Sequence, residues 1–304
     1  MPVDSLRTAR TTGTVPILAA ATFWGLAGGI GGILVERGWD PIVVSFYRGA
    51  LTLVFAFTWL ITTGDNRGLN SWSLWIWSVI AGAGVGGAFS FYFIGMQTGS
   101  VAIAATLLYS APIYVFLGAF MSGRERITFG SAFGLSLIML GVALLAGIFS
   151  KPEIELGASV VMMGLISGLC YAGFIFGFQR AALHGSTQVV MTISFLVETV
   201  LLLILAGRGA WPQGIDPIDM ALILVLGTLG GGISFLLYIF GLRRSQPGTA
   251  AILGMAEPIT ATLFGFAILN QTLSPKQAIG IVMVIATATA FTLRSQDVAQ
   301  QDDH

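Results

Sequence analysis

The chain has 304 residues, 55% of them hydrophobic and only 9% charged, where a soluble domain carries about 25% charged residues. A chain this apolar cannot cover a globular surface with polar groups, and its natural solvent is lipid. Lys and Arg together number 14, as do Asp and Glu, and the absence of a basic tract argues against a nucleic-acid partner. The single cysteine, Cys170, forbids an intrachain disulfide, and with only His184 and His304 beside it no structural metal site or other cofactor is implied.

A bilayer core of ~30 Å needs about 20 apolar residues in a helix. Runs of that kind fall at residues 16–35, 42–62, 72–96, 101–121, 128–149, 157–178, 188–206, 218–241, 249–269 and 277–293. The expectation is an all-α membrane protein of ten transmembrane helices. Arg7 and Arg10 precede the first run as they would a secretory signal, but the run from Pro16 to Val35 is too long for a signal's apolar region and reads as a membrane helix. Residues 1–15 and 294–304 are read as tails.

Cationic loops stay in the cytoplasm. Alternate connections hold Arg7, Arg10, Arg67, Arg124, Arg126, Arg180, Arg243, Arg244 and Arg294 on one side. Arg37, Lys151, Arg208 and Lys276 fall on the other. The bias puts both termini in the cytoplasm, in keeping with an even number of spans in the cytoplasmic (inner) membrane.

A shift of 146 residues lays the second half on the first without gaps over helices three to five. Gly84, Phe89, Tyr92 and Gly95 fall on Gly230, Phe235, Tyr238 and Gly241, and Ala105, Leu107, Pro112 and Ile113 on Ala251, Leu253, Pro258 and Ile259. Tyr and Pro matches in one register point to duplication. Each copy, 16–149 and 157–293, has five helices, so the second enters the membrane upside down. Inverted repeats of this kind characterise secondary transporters, because two similar halves provide two gates of similar energy around one central site.

Three full charges lie within spans. Arg48 is in the second, Glu198 near the centre of the seventh and Glu257 in the ninth. Such residues face the bundle interior and find partners. Glu198 and Glu257 are candidate proton carriers; Glu198 reads equally as a substrate-amine anchor, or structurally as an ion pair or a neutral acid bonded to a neighbouring helix, and for Glu257 a structural role is favoured. Arg48 is a candidate carboxylate ligand, or a snorkelling side chain near a helix end. Pro112 and Pro258 each remove a backbone hydrogen bond mid-span and kink the fourth and ninth helices. One turn before them, Tyr109 and Met255 are expected at the cavity. Trp24, Tyr92, Tyr171 and Tyr238 lie deep enough to join them, since Tyr offers a ring to apolar solutes and a hydroxyl to polar ones. Trp39, Trp72, Trp75 and Trp211 read as anchors at the membrane interface.

Several stretches resemble the drug/metabolite transporter superfamily in its two-domain EamA branch. They are Trp24 with Gly25, Phe46 to Arg48, and Ala111 with Pro112 through Arg124 to Thr128, then Gly134 to Val142. Glu257 with Pro258 through Leu273 to Pro275 and Gly280 repeats the last pattern. The resemblance covers residues 16 to 293. It departs at Asn270 and Gln271, where the family often has Gly-Glu, and at Gly123 to Glu125, which carry one inserted residue. It implies a carrier for small organic solutes, amino acids or related metabolites and in some members aromatic amino acids, with export favoured and a proton or other ion as a coupling partner. No G-x-x-x-x-G-K-[ST] loop is present, so ATP does not drive this chain alone. The alternatives are a lipid-translocating or non-transporting membrane protein. An embedded enzyme fits least, as neither histidine has a partner that would make a catalytic pair.

Overall fold

The computed structural model describes residues 3–98, 101–123, 128–148, 157–207 and 210–301. Arg124, Arg126, Lys151 and Arg208, with the inserted position near Glu125, lie outside these ranges. Every regular element among the described residues is helical. Eight helical stretches are long and apolar enough to cross a membrane, and two shorter apolar helices, Phe129–Leu145 and Pro275–Phe291, accompany them. The molecule is an all-α, multi-spanning membrane protein.

The first half comprises α1 (Val3–Glu36), α2 (Pro41–Thr63), α3 (Trp72–Thr98), α4 (Val101–Leu108), α5 (Ala111–Met121) and α6 (Phe129–Leu145). Helix α1 starts well before the expected span and carries residues 3–15 in helical form through Pro16. The start of α2 is dictated locally: the Asp40 carboxylate accepts from the Ile42 and Val43 amides and Pro41 takes the first position, where its missing N–H costs nothing. Gly64 ends the helix in the left-handed region at φ 63°. A reciprocal Thr128–Ser131 cap opens α6.

The second half holds α7 (Ala158–Ala181), α8 (Thr187–Leu205), α9 (Pro217–Val225), a π-helical segment (Leu226–Ile233), α10 (Ser234–Leu242), α11 (Pro247–Leu253), α12 (Ala256–Ala267) and α13 (Pro275–Gln301). Ser186 and Asp216 cap α8 and α9 through their side-chain oxygens. The expected eighth helix is interrupted by the wide π turn, which runs through Gly227, Gly230, Gly231 and Gly232, where side chains present no obstacle. Helix α13 runs on to Gln301, beyond the expected end of the last span.

Each proline in the fourth and ninth spans sits just after a break. The α4–α5 break falls at Tyr109 and Ser110, the α11–α12 break at Gly254 and Met255. Pro112 and Pro258 have no N–H to give, so the chain tightens: Ser110 N–H donates to Leu107 O (3.1 Å) and Met255 N–H to Ile252 O (3.0 Å), each only three residues back.

Packing crosses between the halves. Helix α1 lies against α10, the π segment and α12, while α7 lies against α3, α4 and α5; α2 pairs with α8, α5 with α11 and α6 with α13. Small residues permit these approaches in a medium where apolar burial gives no drive. A Cβ on Gly84 of α3 would stand 2.6 Å from the Phe174 backbone nitrogen of α7, and one on Gly25 of α1 would stand 2.5 Å from the Glu257 carbonyl oxygen of α12.

Candidate functional site

A cavity of about 450 Å³ lies at the centre of the bundle, within the size range of small-molecule sites. Its walls come from both halves: Trp24 and Gly28 of α1, Ser45 and Arg48 of α2, Phe89 and Tyr92 of α3, Tyr109 beside α4, Tyr171 and Phe174 of α7, Phe235 of α10, and Glu257 of α12. Glu36 and Pro41 stand at its mouth, where α1 turns into α2. At that end one face of α1 has nothing against it: a Cβ on Gly28 or Gly32 would meet no atom within 4 Å. The opposite end is packed shut by Ile17, Phe178, Phe195 and Tyr238, all buried.

Two of the three membrane-embedded ionisable groups, Arg48 and Glu257, face the cavity. Arg48 is 5% exposed; its Nη2 donates to Glu198 Oε1 at 2.7 Å, and its guanidinium carbon lies 4.2 Å from the Phe89 ring centroid. The ring face attracts the cation. Glu198 is fully buried behind Arg48, outside the cavity lining, in room left by Gly49 and Gly86. Arg48 therefore does not snorkel to a membrane surface; it is fixed in the interior by a partner 150 residues away. Across the cavity Glu257 accepts the Tyr171 hydroxyl at 3.0 Å, and Tyr109 lines the same cavity.

The helix breaks explain this placement. Tyr109 occupies the α4–α5 break and Glu257 opens α12 just past the α11–α12 break. At the repeat shift Tyr109 corresponds to Met255, which is 1% exposed and does not line the cavity. Glu257, two residues on, provides the second half's wall instead. Tyr238 is also buried off the lining, under Trp24, with ring centroids 4.8 Å apart. The Trp24 indole ring packs on Phe235 at 4.9 Å and on Phe174 at 6.0 Å, and its Nε1 is buried without a hydrogen-bond partner. Trp24, Arg48, Tyr92, Tyr109, Tyr171 and Glu257 are thus brought together; Tyr238, Met255 and Glu198 are not.

Sequence reasoning overlooked Phe89, Phe174 and Phe235 on the walls. The repeat match of Phe89 to Phe235 carried the signal, since both members of that pair face the cavity. It also assigned Trp39 to the membrane interface. Trp39 is instead 7% exposed, donating its indole N–H to Asp219 at 2.8 Å. The same Asp219 accepts from the Arg37 Nε, and Arg37 Nη2 reaches Asp216 at 2.6 Å. Asp216 titrates below the usual carboxylate value, first because the Asp219 amide donates to it and then because of the Arg37 charge. At the other end Ser186 N–H donates to Arg67 O (3.0 Å) and Ser186 Oγ to Asp65 O (2.9 Å).

A multi-spanning helical bundle with an amphipathic cavity between its two halves, open at one end, is the architecture of a membrane carrier for small solutes. The model of the EamA-like transporter family matches residues 11–147 and again 158–293, and the chain belongs to that family. Membership makes it a secondary transporter of a small organic solute across the membrane, a non-enzymatic activity. An uncharacterized transporter of Archaeoglobus fulgidus is 30% identical over 199 residues, covering 64% of this chain and 68% of its own. The threonine/homoserine exporter RhtA of Escherichia coli K12 is 27% identical over 216 residues, covering 70% and 69%. A crystal structure with 20% sequence identity superposes with a TM-score of 0.77 over 95% of this chain and 99% of its own, a likeness of fold.

Proposed function

We propose that the chain exports amino acids or closely related metabolites across the cytoplasmic membrane by alternating access between two inverted five-helix repeats, residues 16–149 and 157–293. On this reading the two shorter apolar helices also span, giving ten, and both termini are cytoplasmic. The observation that carries the proposal is the central cavity, closed at one end and open at the other, with Arg48 and Glu257 set among aromatic rings. An exporter among the relatives, the threonine/homoserine exporter, supports the choice of solute and direction.

The packing supports the inversion. The first helix of each half lies on the third and fourth of the other, and the second, fourth and fifth pair with their own counterparts. The loops do the same. The α1–α2 loop holds the α8–α9 loop through Arg37 and Asp216, and the α7–α8 loop holds the α2–α3 loop through Ser186 and Asp65. Two matching clasps at opposite ends are what an axis in the membrane plane produces. The open end, by the arginine count, faces outward.

For coupling, Glu257 is the favoured proton carrier because it stands on the cavity wall, whereas Glu198 serves to hold Arg48. The test is counterflow in proteoliposomes with labelled amino acids, nucleosides and cationic drugs, with and without a pH gradient. Amino-acid exchange is expected. No exchange of any solute overturns the carrier reading.

A further inference from the structure

We infer that the central cavity takes its solute as a zwitterion, binding the carboxylate at Arg48 and the ammonium group at Glu257, and so selects α-amino acids with apolar side chains over amines and over carboxylic acids. This inference rests on the carrier reading and narrows it.

The argument begins with what each charge lacks. Arg48 has five N–H donors in a planar fork, and its described ion pair uses one, Nη2 to Glu198 Oε1. Arg48 is also a wall of the cavity, and Glu198 is not. The pair Arg48–Glu198 is neutral as a unit, yet its solute-facing edge is guanidinium, shaped for bidentate contact with a carboxylate. Glu257 differs. It has the Tyr171 hydroxyl as a donor and no cation in hydrogen-bond contact among the described residues. Arg48 and Glu257 are near enough to act on each other electrostatically.

A solute must satisfy both groups in surroundings of low polarity, where an unpaired charge is expensive. A primary amine would pair with Glu257 but leave the free edge of Arg48 without an acceptor. A simple carboxylate would pair with Arg48 but bring a second negative charge toward Glu257. An α-amino acid supplies ammonium and carboxylate on one carbon, adds no net charge and meets both. Apart from Ser45 and the tyrosine hydroxyls, the walls beside the two charges are apolar, with Trp24, Phe89, Phe174 and Phe235 the largest, and offer few partners to a charged side chain. They favour an apolar or aromatic one.

The experiment uses the full chain in detergent and in proteoliposomes. The probes are L-phenylalanine and L-leucine, each with its amide, which lacks the carboxylate, and its α-hydroxy acid, which lacks the ammonium. Binding is read as the shift in melting temperature with concentration, and transport as inhibition of counterflow. The wild type is expected to bind each amino acid at least tenfold more tightly than its amide or its hydroxy acid. In Glu257→Gln the preference for amino acid over hydroxy acid should disappear. Replacing Arg48 alone strands Glu198, so the arginine arm uses the double variant Arg48→Gln/Glu198→Gln, in which no charge is left unpaired. There the preference for amino acid over amide should disappear, while the preference over hydroxy acid remains. Equal binding of all three ligand forms by the wild type, no binding of either amino acid, or unchanged preferences in both variants overturns the inference. Counterflow of some other solute alongside such a result would leave the carrier reading standing, and absence of all counterflow would remove that reading as well.

Discussion

Arg48 of α2 and Glu198 of α8 meet at 2.7 Å with side-chain exposures of 7% and 0%, an ion pair that joins the two halves of the chain through their second helices. Glu198 is sealed from water, and Arg48 is open only along its cavity-facing edge. Removing one partner leaves the other charge buried, which in protein interiors costs about 3–5 kcal/mol, whereas removing both and filling the space is often neutral. Glu198→Ala and Arg48→Ala are each expected to lower the melting temperature of the purified protein sharply. Arg48→Met/Glu198→Met should recover most of the loss. A double variant as unstable as the singles would mean that the pair does more than neutralise itself.

Gly84 of α3 and Gly28 of α1 should respond differently to an added methyl group. On Gly84 a methyl group would meet backbone atoms of α7, Phe174 N at 2.6 Å and Cys170 O at 2.8 Å, which cannot rotate away. Gly84→Ala is expected to cost about 1–3 kcal/mol of stability, the usual penalty of overpacking. On Gly28 a methyl group meets nothing within 4 Å. Gly28→Ala should leave the melting temperature nearly unchanged and yet slow counterflow, because closing the open end brings this face of α1 against the other half. Equal losses of stability in the two variants would contradict the asymmetry of the cavity's ends.

How much of this was legible beforehand follows from what sequence encodes. Depth in the membrane is read from position in an apolar run, so Glu198 and Arg48 were placed in the interior. Which face of a helix a residue occupies is not, and the pairing of two side chains 150 residues apart emerged only from the packing of α2 on α8. Pro112 and Pro258 marked where two helices break, because a missing N–H acts locally. The repeat register then pointed to Met255 as the partner of Tyr109, while the turn at the break puts Glu257 on the wall. The π turn at Leu226–Ile233 had only a cluster of glycines as its sign, and the same composition serves ordinary close packing. Trp39 illustrates the converse: a tryptophan at a span's end has interface chemistry, but Asp219, 180 residues away, draws it inward.

The clasp at the open end predicts a pH response. Asp216 is held below its ordinary value of 3.8, with the Asp219 amide as the main cause and Arg37 contributing. A carboxyl lowered on folding adds stability that is present above its unfolded value and disappears as pH falls through the folded one. Wild type should therefore exceed Asp216→Asn in melting temperature by a constant margin between about pH 5 and 8, with the margin shrinking only below the ordinary carboxylate range. Any change in transport rate between about pH 5 and 8 should persist in Asp216→Asn, since Asp216 does not titrate there. A margin that varied across neutral pH would place another titrating group in the clasp.

Orientation can be tested at two loops that the fold puts at opposite ends. Asn66 follows α2, in the loop held by Ser186, and Gln213 precedes α9, in the loop held by Arg37; both side chains are exposed. On the proposed ten-span arrangement an odd number of spans separates the two loops, which puts them on opposite sides of the membrane. The arginine count assigns the Asn66 loop, with Arg67, to the cytoplasm and the Gln213 loop to the outside. Cys170 is the sole native cysteine, so Cys170→Ser gives a clean background for single cysteines at each position. In intact cells a membrane-impermeant maleimide should label Gln213→Cys and leave Asn66→Cys untouched until the cells are permeabilised. The reverse pattern would turn the bundle over, and the open end of the cavity, with Glu36 and Pro41 at its mouth, would then face the cytoplasm.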